Sequence, residues 1–559
     1  MRAPRKLALR FSDEAGSRWV LASILLLLLL LAWSLRFIQD DAFISFRYAR
    51  NLVLGEGLVW NPGEHVEGYS NFLWTLAIAA GLRAGLEPIG LSFALGLVCF
   101  VASLLFTYSL ALRLTGIRTD ALTAVFLLGT NYTFACYATG GLETQLQTCL
   151  LLAATHGVFT GPLAGDWERA RLARLSLLFS LALLTRLDSA VPVAVLGGAS
   201  LLALARARDL SFTRPQALAA LLLPGALPLA AWLAWKVAYY GDPLPNSFYV
   251  KLASSNSLAI GLRYVAFFGA SYLLLPVLLV PILRLRRLTS GASREVRTLS
   301  VLVVLWLLYV VRAGGDFMEF RFMVPVLPYV YLLCVWSFRA GFANPWLRSL
   351  AVGLLLLGSF HHAMTFGSSR TLWGVESIAQ LEGHLTHPNG GWDGVGRALH
   401  RLFDENSGVV IATTAAGAIP YYARLETVDM GGINDAWVAR HGIVASDRPG
   451  HQRMATMEYL LSRKVNLLIG NARFVRSASP RQRPFYRHHV RGMSWVDFGV
   501  ERLPAEATML QIPVEEGYWL LAVYLIRHPA VDAAIEVQAI VQSPILQAPA
   551  PAPGRRRPR

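Results

Sequence analysis

Two adjacent aspartates, Asp40 and Asp41, follow an apolar segment at residues 19–36 that is about as long as a membrane span requires. A carboxylate at the end of a membrane helix is costly unless it stays hydrated or takes part in function. The next stretch, DAFISFRYARNLV, has apolar residues at helical spacing, with Phe43 and Phe46 on one face. We predict a helix along the membrane surface with these aromatic residues in the interface. Capping of that helix explains one aspartate and leaves the other for chemistry.

Four later loops repeat this arrangement of charged residues beside apolar segments. They read GGLET, TRLDS, GDPLPNSFYVK and GGDFMEFRF. The residues in or directly before them that could bind or act on a substrate are Glu143, Arg186, Asp188, Asp242, Asn246, Lys251, Arg312, Asp316, Glu319 and Arg321. Hydration of a loop end explains any one of these residues. Carboxylates in every one of these loops, with cations in most of them, instead favour a shared site.

The composition is that of a polytopic membrane protein. Of the 559 residues, 55% are hydrophobic and only 15% are charged, whereas soluble domains carry about 25% charged residues. The net charge of +16 lies largely in short arginine-rich loops such as WERARLAR and LARARDLSFTR, which mark the cytoplasmic side of a membrane. No basic aromatic patch or known module indicates nucleic-acid binding. The four cysteines lie in apolar stretches and are typical of core residues.

The arginine-rich loops also predict the topology. Residues 1–18 form a basic cytoplasmic tail before an uncleaved signal-anchor helix, so the first outer loop at residues 37–69 lies outside. The apolar segments at 70–86 and 88–112 must together make one net crossing, which gives about eleven spans. Twelve spans are the alternative. Either way, the polar loops described above meet on the non-cytoplasmic face.

The composition changes after residue 366. GVVIATT, KVNLLIG and YWLLAVYLIR are typical of strands, and GWDGVGRALHRLFDEN and MATMEYLLSRK of helices. We predict an extracytoplasmic α/β domain at 366–545 and a disordered, Pro/Ala-rich basic tail at 546–559. The domain either covers the active site, holds a glycan acceptor or only stabilises the membrane domain at 19–365.

The location of these charges restricts the chemistry. Outside the cytoplasm there is no ready supply of ATP or nucleotide sugars, so an activated sugar must arrive on a lipid carrier such as a polyprenyl phosphate. Arg or Lys side chains would hold the phosphate, and a carboxylate would take the proton of the acceptor hydroxyl. No P-loop, GxSxG or HExxH motif offers another reaction. A transporter or lipid flippase predicts mid-membrane charges and paired repeats, and the sequence has neither.

The stretch DDAFISFRYARNLVLGEGLVWNPGEHVEGYSNFLW resembles the first outer loop of GT-C superfamily glycosyltransferases. It is most similar to the mycobacterial terminal β-(1→2)-arabinofuranosyltransferase family and its bacterial relatives. GGLET, TRLD, GDPLPNSFYVK, GGDFMEFRFMVP and IPYYARLETVDMGGIND resemble motifs that follow in the same order, so the resemblance covers about residues 19–445. It implies a GT-C fold, inverting transfer and a polyprenyl-phosphate sugar donor, with arabinofuranose as the sugar of that family.

The resemblance also implies roles for the loop residues. An aspartate of the first outer loop is the general base, which is Asp41 or Asp40, and we favour Asp41 because it lies farther from the membrane helix and nearer to Arg47. The candidates for binding the donor phosphate are Lys251 and Arg321, then Arg47, Arg186 and Arg312. The candidates for orienting the substrates are Asp188, Asp242, Asn246, Asp316, Glu319 and Glu143. An arginine at a helix end can also serve only to reach the lipid headgroups.

The remaining expectations concern the metal, the acceptor and the location. His65 beside Glu64 is the one pair that suggests a metal, and a histidine in a hydrated loop seldom binds one. We predict no cofactor, with a divalent metal as the alternative that the resemblance leaves open. The expected acceptor is a glycan of the cell envelope, and the expected location is the bacterial inner membrane, with active site and C-terminal domain on the periplasmic side. The alternative is a different lipid-linked sugar with a lipid or protein acceptor.

Overall fold

The computed structural model describes residues 5–208, 210–251, 256–274, 293–366, 371–386, 391–477 and 484–547. Most of the predicted tail at 546–559, and the start of the tail at 1–18, lie outside the described residues. The chain forms two compact units. The helical unit comprises Met1–Ala42, Ser70–Pro243 and Asn256–Leu381, and the sheet unit comprises Phe43–Tyr69, Leu244–Ser255 and Glu382–Arg559. We predicted each domain as one continuous stretch of sequence, whereas each unit combines several separate stretches. The borders of the predicted domains stay a prediction.

Helices dominate the helical unit, and both helices and strands build the sheet unit. In chain order the described helices are α1 (Arg5–Ser34), α2 (Asp40–Leu54), α3 (Phe72–Arg83), α4 (Pro88–Thr115), α5 (Arg118–Gly129), α6 (Tyr132–Cys136), α7 (Thr144–Thr160), α8 (Arg169–Thr185), α9 (Ala190–Arg206), α10 (Arg214–Tyr240), α11 (Asn246–Lys251), α12 (Ser257–Ser271), α13 (Arg294–Ala313), α14 (Leu327–Gly341), α15 (Pro345–Phe366), α16 (Ile378–Thr386), α17 (Trp392–Leu402), α18 (Ala418–Ala423), α19 (Ala436–His441), α20 (Met457–Ser462), α21 (Arg487–Arg491) and α22 (Pro529–Val537). The strands are β1 (Thr371–Leu372), β2 (Val375–Glu376), β3 (Val410–Thr413), β4 (Glu426–Asp429), β5 (Ile443–Val444), β6 (Arg453–Met454), β7 (Leu467–Arg476), β8 (Phe485–Tyr486), β9 (Thr508–Glu515), β10 (Tyr518–Tyr524) and β11 (Val541–Leu546).

Within the described residues, five helical segments are long and apolar enough to cross a membrane: Pro88–Thr115, Leu187–Arg206, Arg214–Tyr240, Arg294–Ala313 and Pro345–Phe366. Arg18–Ser34, Phe72–Arg83 and Ser257–Ser271 are shorter apolar helices. The prediction of a polytopic helical membrane protein is confirmed, and the count of about eleven spans stays a prediction.

The two apolar segments at 70–86 and 88–112, which we predicted to make one net crossing, contain one short and one long helix. Helix α3 has 12 residues, which at about 1.5 Å per residue extends about 18 Å, less than the roughly 30 Å of a hydrocarbon core. Helix α4 has 28 residues and begins with Pro88, directly after the capping carboxylate of Glu87. It ends at Thr115 and is followed by the C-cap residue Gly116, which has a φ of 71°. One net crossing through α4 is therefore consistent with these lengths.

The C-terminal strands form a mixed sheet of seven strands in the order β4-β3-β7-β10-β9-β11-β8. Strands β4, β3 and β7 are parallel, and β7, β10, β9 and β11 are antiparallel neighbours. Successive residues of β3 alternate between two apolar clusters: Val410 and Ala412 belong to one, and Ile411 to the other. Apolar residues therefore cover both faces of the sheet. The predicted α/β domain is confirmed.

The aromatic face of α2 differs from its prediction. Phe43 and Phe46 are almost fully buried. In the sheet unit, Phe43 packs against Tyr421 and Tyr422, with ring centroids 5.4 Å from each. The expectation that these aromatic residues lie in the membrane interface is therefore wrong. The same apolar spacing suits burial against protein and burial in lipid, so the sequence pattern could not separate the two.

Arg47 connects α2 to the rest of the sheet unit. It is 2% exposed, and it donates hydrogen bonds to the carbonyl oxygens of Trp60 (2.7 Å) and Leu425 (2.8 Å), to that of Pro420, and to Asn61 Oδ1 (3.0 Å). All three guanidinium nitrogens are thus engaged. We infer that Arg47 stabilises the fold rather than binding a phosphate.

Replacing Arg47 by methionine is expected to lower the free energy of unfolding by about 2–4 kcal/mol, because three carbonyl oxygens and an amide oxygen lose their donor. Thermal unfolding of the full-length protein, followed by tryptophan fluorescence, would measure this as a lower midpoint. Arg83→Gln is the control, since Arg83 is exposed. An unchanged midpoint for the Arg47 variant would contradict the assignment.

Candidate active site

A short backbone pairing positions the first turn of α2 within the helical unit. Ile38 pairs with Gly140, the Gly140 amide donates to the Phe37 carbonyl oxygen at 2.9 Å, and the Phe37 amide donates to Thr139 Oγ1 at 3.1 Å. Gly141 has a φ of +77°, and a Cβ there would lie 2.4 Å from the Ile38 side chain. The GG of GGLET is therefore required by backbone conformation and by close packing. This pairing brings Asp40 and Asp41 beside the GGLET turn.

The GGLET turn supplies Glu143, which belongs to a buried ionic cluster. Arg186 Nη1 donates to Glu143 Oε1 at 2.6 Å, and Asn71 Nδ2 donates to Glu143 Oε2 at 2.7 Å. Arg186 also binds Asp188 through Nε and Nη2, and Gln147 donates to Asp188 at 2.7 Å. Every guanidinium nitrogen of Arg186 thus already serves a carboxylate. The geometry gives Arg186 a positioning role more readily than direct phosphate binding.

The GGDFMEFRF loop supplies the second arginine. Gly314 and Gly315 have φ values of +84° and +71°, and Phe320, at +45°, has a conformation that non-glycine residues rarely adopt. Arg321 Nε donates to Asp316 Oδ2 at 2.8 Å. Among the described residues, no group accepts a hydrogen bond from the two Nη atoms of Arg321. Its guanidinium therefore keeps the pair of donors that suits a phosphate oxygen.

A buried pair, Glu319 and His362, holds this loop in place. Glu319 Oε1 lies 2.7 Å from His362 Nε2, and Glu319 Oε2 accepts from the Ile378 amide at 2.7 Å. Both side chains are fully buried, and both carboxylate oxygens of Glu319 already have protein partners. We infer that Glu319 fixes the loop and, through it, the strained Phe320 and the adjacent Arg321.

Asp41 lies within the electrostatic field of these groups. Burial raises its pKa to about 7; the positive charge of Arg321 opposes this rise, and the negative charges of Asp40, Asp316 and Glu143 add to it. The residue as a whole is half-buried. No described residue donates a hydrogen bond to its carboxylate. A carboxylate with these properties is suited to accept a proton near neutral pH.

The remaining predicted site residues are distributed over both units. Arg312 is exposed at the end of α13, and Asp242 is half-buried just after α10, both in the helical unit. Lys251 is exposed at the end of α11 in the sheet unit. Asn246 begins α11, and its Nδ2 donates to the carbonyl oxygens of Gly432, Ile433 and Asp435. The contacts of Asn246 are those of a residue that joins segments of the sheet unit.

Three residues that contact predicted site residues were not themselves predicted: Asn71, Gln147 and His362. Asn71 and Gln147 are polar residues at or just inside the start of apolar segments. This position was the indication in the sequence that they contact other polar groups. His362 lies within the apolar segment of α15, where an ionisable residue is itself a reason to expect a partner.

Across the described ranges, no group of three or more His, Cys, Asp or Glu side chains is arranged to hold an ion. Glu64, the predicted neighbour of a metal-binding His65, forms an ion pair with Arg463 and accepts from Asn61 Nδ2 at 3.0 Å.

Sequence comparison finds relatives along part of the chain. The terminal β-(1→2)-arabinofuranosyltransferase of Mycobacterium tuberculosis is 29% identical over 331 residues, and that of Corynebacterium glutamicum is 30% identical over 331 residues. The matches cover 53% and 52% of this chain, and 52% and 46% of the two relatives. The chain thus spans about half the length of these curated relatives. Residues 380–513 also match a family described as "Domain of unknown function (DUF8728)".

Structure comparison covers nearly the whole chain. The crystal structure of ArnT from Cupriavidus metallidurans bound to undecaprenyl phosphate aligns over 91% of this chain and 98% of its own, with a TM-score of 0.54 and 12% identity. At that identity the likeness concerns the fold alone. The predicted resemblance is confirmed: the chain has the GT-C glycosyltransferase fold and is similar in sequence to the terminal β-(1→2)-arabinofuranosyltransferases.

Proposed function

We propose that this protein is an integral-membrane, inverting glycosyltransferase that uses a polyprenyl-phosphate sugar as its donor. The observation that carries the proposal is the electrostatic interaction between Asp41 and Arg321. Burial raises the pKa of Asp41 to about 7, and the Nη donors of Arg321 have no acceptor among the described residues. One group can accept a proton and the other can stabilise a phosphate, and a transfer from a lipid phosphate to a hydroxyl needs both.

In the proposed reaction, the acceptor hydroxyl gives its proton to the Asp41 carboxylate as its oxygen attacks the anomeric carbon. A new bond forms between that oxygen and the anomeric carbon. The bond from the anomeric carbon to the phosphate oxygen breaks, and its electron pair goes to the phosphate. The attack occurs on the face opposite the leaving phosphate, so the anomeric configuration inverts.

Arg321 is the residue best suited to hold the leaving phosphate. It is fixed at Nε by Asp316, and its Nη atoms have no acceptor in the described part of the chain. The other arginine, Arg186, forms ion pairs with Glu143 and Asp188, and it would hold these two carboxylates in position. The Coulomb attraction of Arg321 is strongest for the phosphate after the bond has broken, which is how it would lower the barrier.

The proposed donor class is supported by the relatives. Arabinofuranose is the sugar in the names of the two curated relatives, and the ArnT structure contains undecaprenyl phosphate. We infer a decaprenyl- or undecaprenyl-phosphate arabinofuranose donor and an envelope glycan acceptor. The distribution of arginine-rich loops favours a site on the non-cytoplasmic face of a bacterial inner membrane.

The test is sugar transfer by the purified full-length protein, with radiolabelled decaprenyl-phosphate arabinofuranose and an arabinofuranose oligosaccharide as acceptor. Formation of a labelled, elongated oligosaccharide would support the proposal. Transfer only from a decaprenyl-phosphate hexose would reject arabinofuranose and keep the reaction type. No transfer from any polyprenyl-phosphate sugar to a glycan, lipid or protein acceptor would overturn the proposal.

The pH dependence of this activity is a further prediction. Since Asp41 must be ionised to act as the base, we expect kcat/KM to be constant above pH of about 8 and to fall about tenfold per pH unit below about 6. The midpoint should lie near pH 7, the value to which burial raises the pKa of Asp41. A midpoint near pH 4 would mean that the base is a hydrated carboxylate elsewhere.

A further inference from the structure

Three buried hydrogen-bond donors in or beside the paired segments at 37–41 and 139–144 have no hydrogen-bond partner among the described residues. They are the amide nitrogen Nε2 of Gln39 and the hydroxyls of Tyr137 and Thr144. The three side chains are 2%, 1% and 2% exposed, respectively. A buried donor without an acceptor is costly and rare in native proteins, and it calls for an explanation such as a bound molecule.

All three residues belong to segments that meet at the pairing of Phe37 and Ile38 with Gly140 in the helical unit. Gln39 directly precedes the aspartate pair, and Thr144 directly follows Glu143. The Tyr137 ring packs edge-on against Phe37 at 5.5 Å, and the Phe37 backbone pairs with the GGLET turn. Arg321 and Asp316 act electrostatically on the Tyr137 hydroxyl, as they do on Asp41.

Their chemistry differs from that of the phosphate-binding arginine. The Tyr and Thr hydroxyls each donate and accept one or more hydrogen bonds, and the Gln amide nitrogen donates. Neutral groups that both donate and accept match the hydroxyls of a sugar. A lipid tail would leave all three without a partner, and a phosphate would be bound more strongly by Arg321.

We propose that Gln39, Tyr137 and Thr144 form a subsite that binds the hydroxyl groups of the donor sugar. This inference rests on the proposed function, because it assumes a sugar-bearing donor at the Asp41 site. The subsite would select a hydroxyl-bearing sugar over an analogue that lacks a hydroxyl, since the analogue would leave a buried donor unpaired. It would act on the sugar and not on the lipid phosphate.

The test compares three lipids that share a decaprenyl phosphate and differ in whether they carry a sugar and in which sugar they carry. Dissociation constants of the purified full-length protein in detergent would be measured for decaprenyl phosphate, decaprenyl-phosphate arabinofuranose and a decaprenyl-phosphate hexose. We expect Tyr137→Phe and Thr144→Val each to weaken binding of the preferred sugar lipid by about tenfold, the effect of losing one buried hydrogen bond. Binding of decaprenyl phosphate should change less than about twofold.

The matched control is Tyr329→Phe. Tyr329 is a fully buried tyrosine whose hydroxyl lies 3.0 Å from Thr155 Oγ1. This variant loses a hydroxyl of the same kind at a place where the chain already supplies a partner. It should leave the difference in affinity between the sugar lipid and decaprenyl phosphate unchanged.

The outcomes separate the subsite from the proposed reaction. If neither Tyr137→Phe nor Thr144→Val changes binding of a sugar lipid, or if both weaken all three lipids equally, the subsite is rejected even when the wild type transfers sugar. If the two variants lose affinity only for a sugar lipid and the wild type transfers nothing, the subsite stands and the proposed reaction is rejected.

Discussion

Replacing Asp41 by asparagine is expected to abolish sugar transfer and leave the protein folded. Asparagine has almost the same shape, but it cannot take the proton of the acceptor hydroxyl, so kcat should fall by about 10²–10⁴-fold. The measurement is a rate of transfer at saturating donor, at pH 8, where the wild-type carboxylate is ionised. Binding of decaprenyl phosphate by the variant should persist.

The stability of this variant has a predictable sign. Burial raises the pKa of Asp41, so the folded protein holds the proton more tightly than the unfolded chain. Ionisation of Asp41 therefore lowers stability progressively between about pH 4 and pH 7, and the full cost is present above that range. At pH 8, Asp41→Asn should unfold at the same temperature as the wild type or at a higher one. A dead variant with a lower midpoint would instead indicate misfolding.

The adjacent Asp40→Asn is the matched control. The negative charge of Asp40 raises the pKa of Asp41, so its removal should shift the acidic limb of kcat/KM to lower pH and keep most of the activity. If Asp40→Asn were inactive and Asp41→Asn active, the roles of the two aspartates would be exchanged. Full activity in both would reject the aspartate pair as the source of the base.

The sequence predicted the fold class because its signals are local and strong. Apolar length and low charge required membrane helices, and alternating apolar residues such as those of β3 required a covered sheet. The sequence could not predict that residues 43–69 and 244–255 belong to the sheet unit. That association depends on contacts distant in the chain, such as those of Arg47 with Leu425 and of Asn246 with Gly432, and no periodicity encodes them.

The candidate site was predictable in its residue types and not in its pairings. Glu143, Arg186, Asp188, Asp316 and Arg321 were all candidates, because charged residues at the ends of apolar segments are informative. Their individual roles depended on geometry.

Only the structure distinguishes an arginine whose guanidinium nitrogens all donate to carboxylates from one that has donors left for a ligand. Arg186 has both Glu143 and Asp188 as partners, whereas within the described ranges the guanidinium of Arg321 donates only from Nε, to Asp316. Tyr137 and Thr144 lie within or beside apolar segments, and a sequence gives no sign that a buried hydroxyl lacks a partner.

Replacing Arg321 is expected to have the second large effect. Arg321→Gln removes the two Nη donors and the positive charge that would stabilise the leaving phosphate, so kcat/KM should fall by about 10²–10³-fold. Arg321→Lys should recover part of this loss, because lysine keeps the charge but cannot supply the paired donors. Arg83→Gln, at an exposed arginine that is not a candidate for phosphate binding, is the control and should remain active.

Two further readouts separate phosphate binding from structural damage. Arg321 is the ion-pair partner of Asp316, which is buried, so Arg321→Gln alone leaves a carboxylate unpaired. The double variant Arg321→Gln with Asp316→Asn removes that carboxylate and should regain thermal stability without regaining activity. The positive charge of Arg321 also lowers the pKa of Asp41, so in Arg321→Gln the residual activity should show its acidic limb at higher pH. If the double variant regained wild-type activity, Arg321 would serve only to neutralise Asp316, and another cation would have to hold the phosphate.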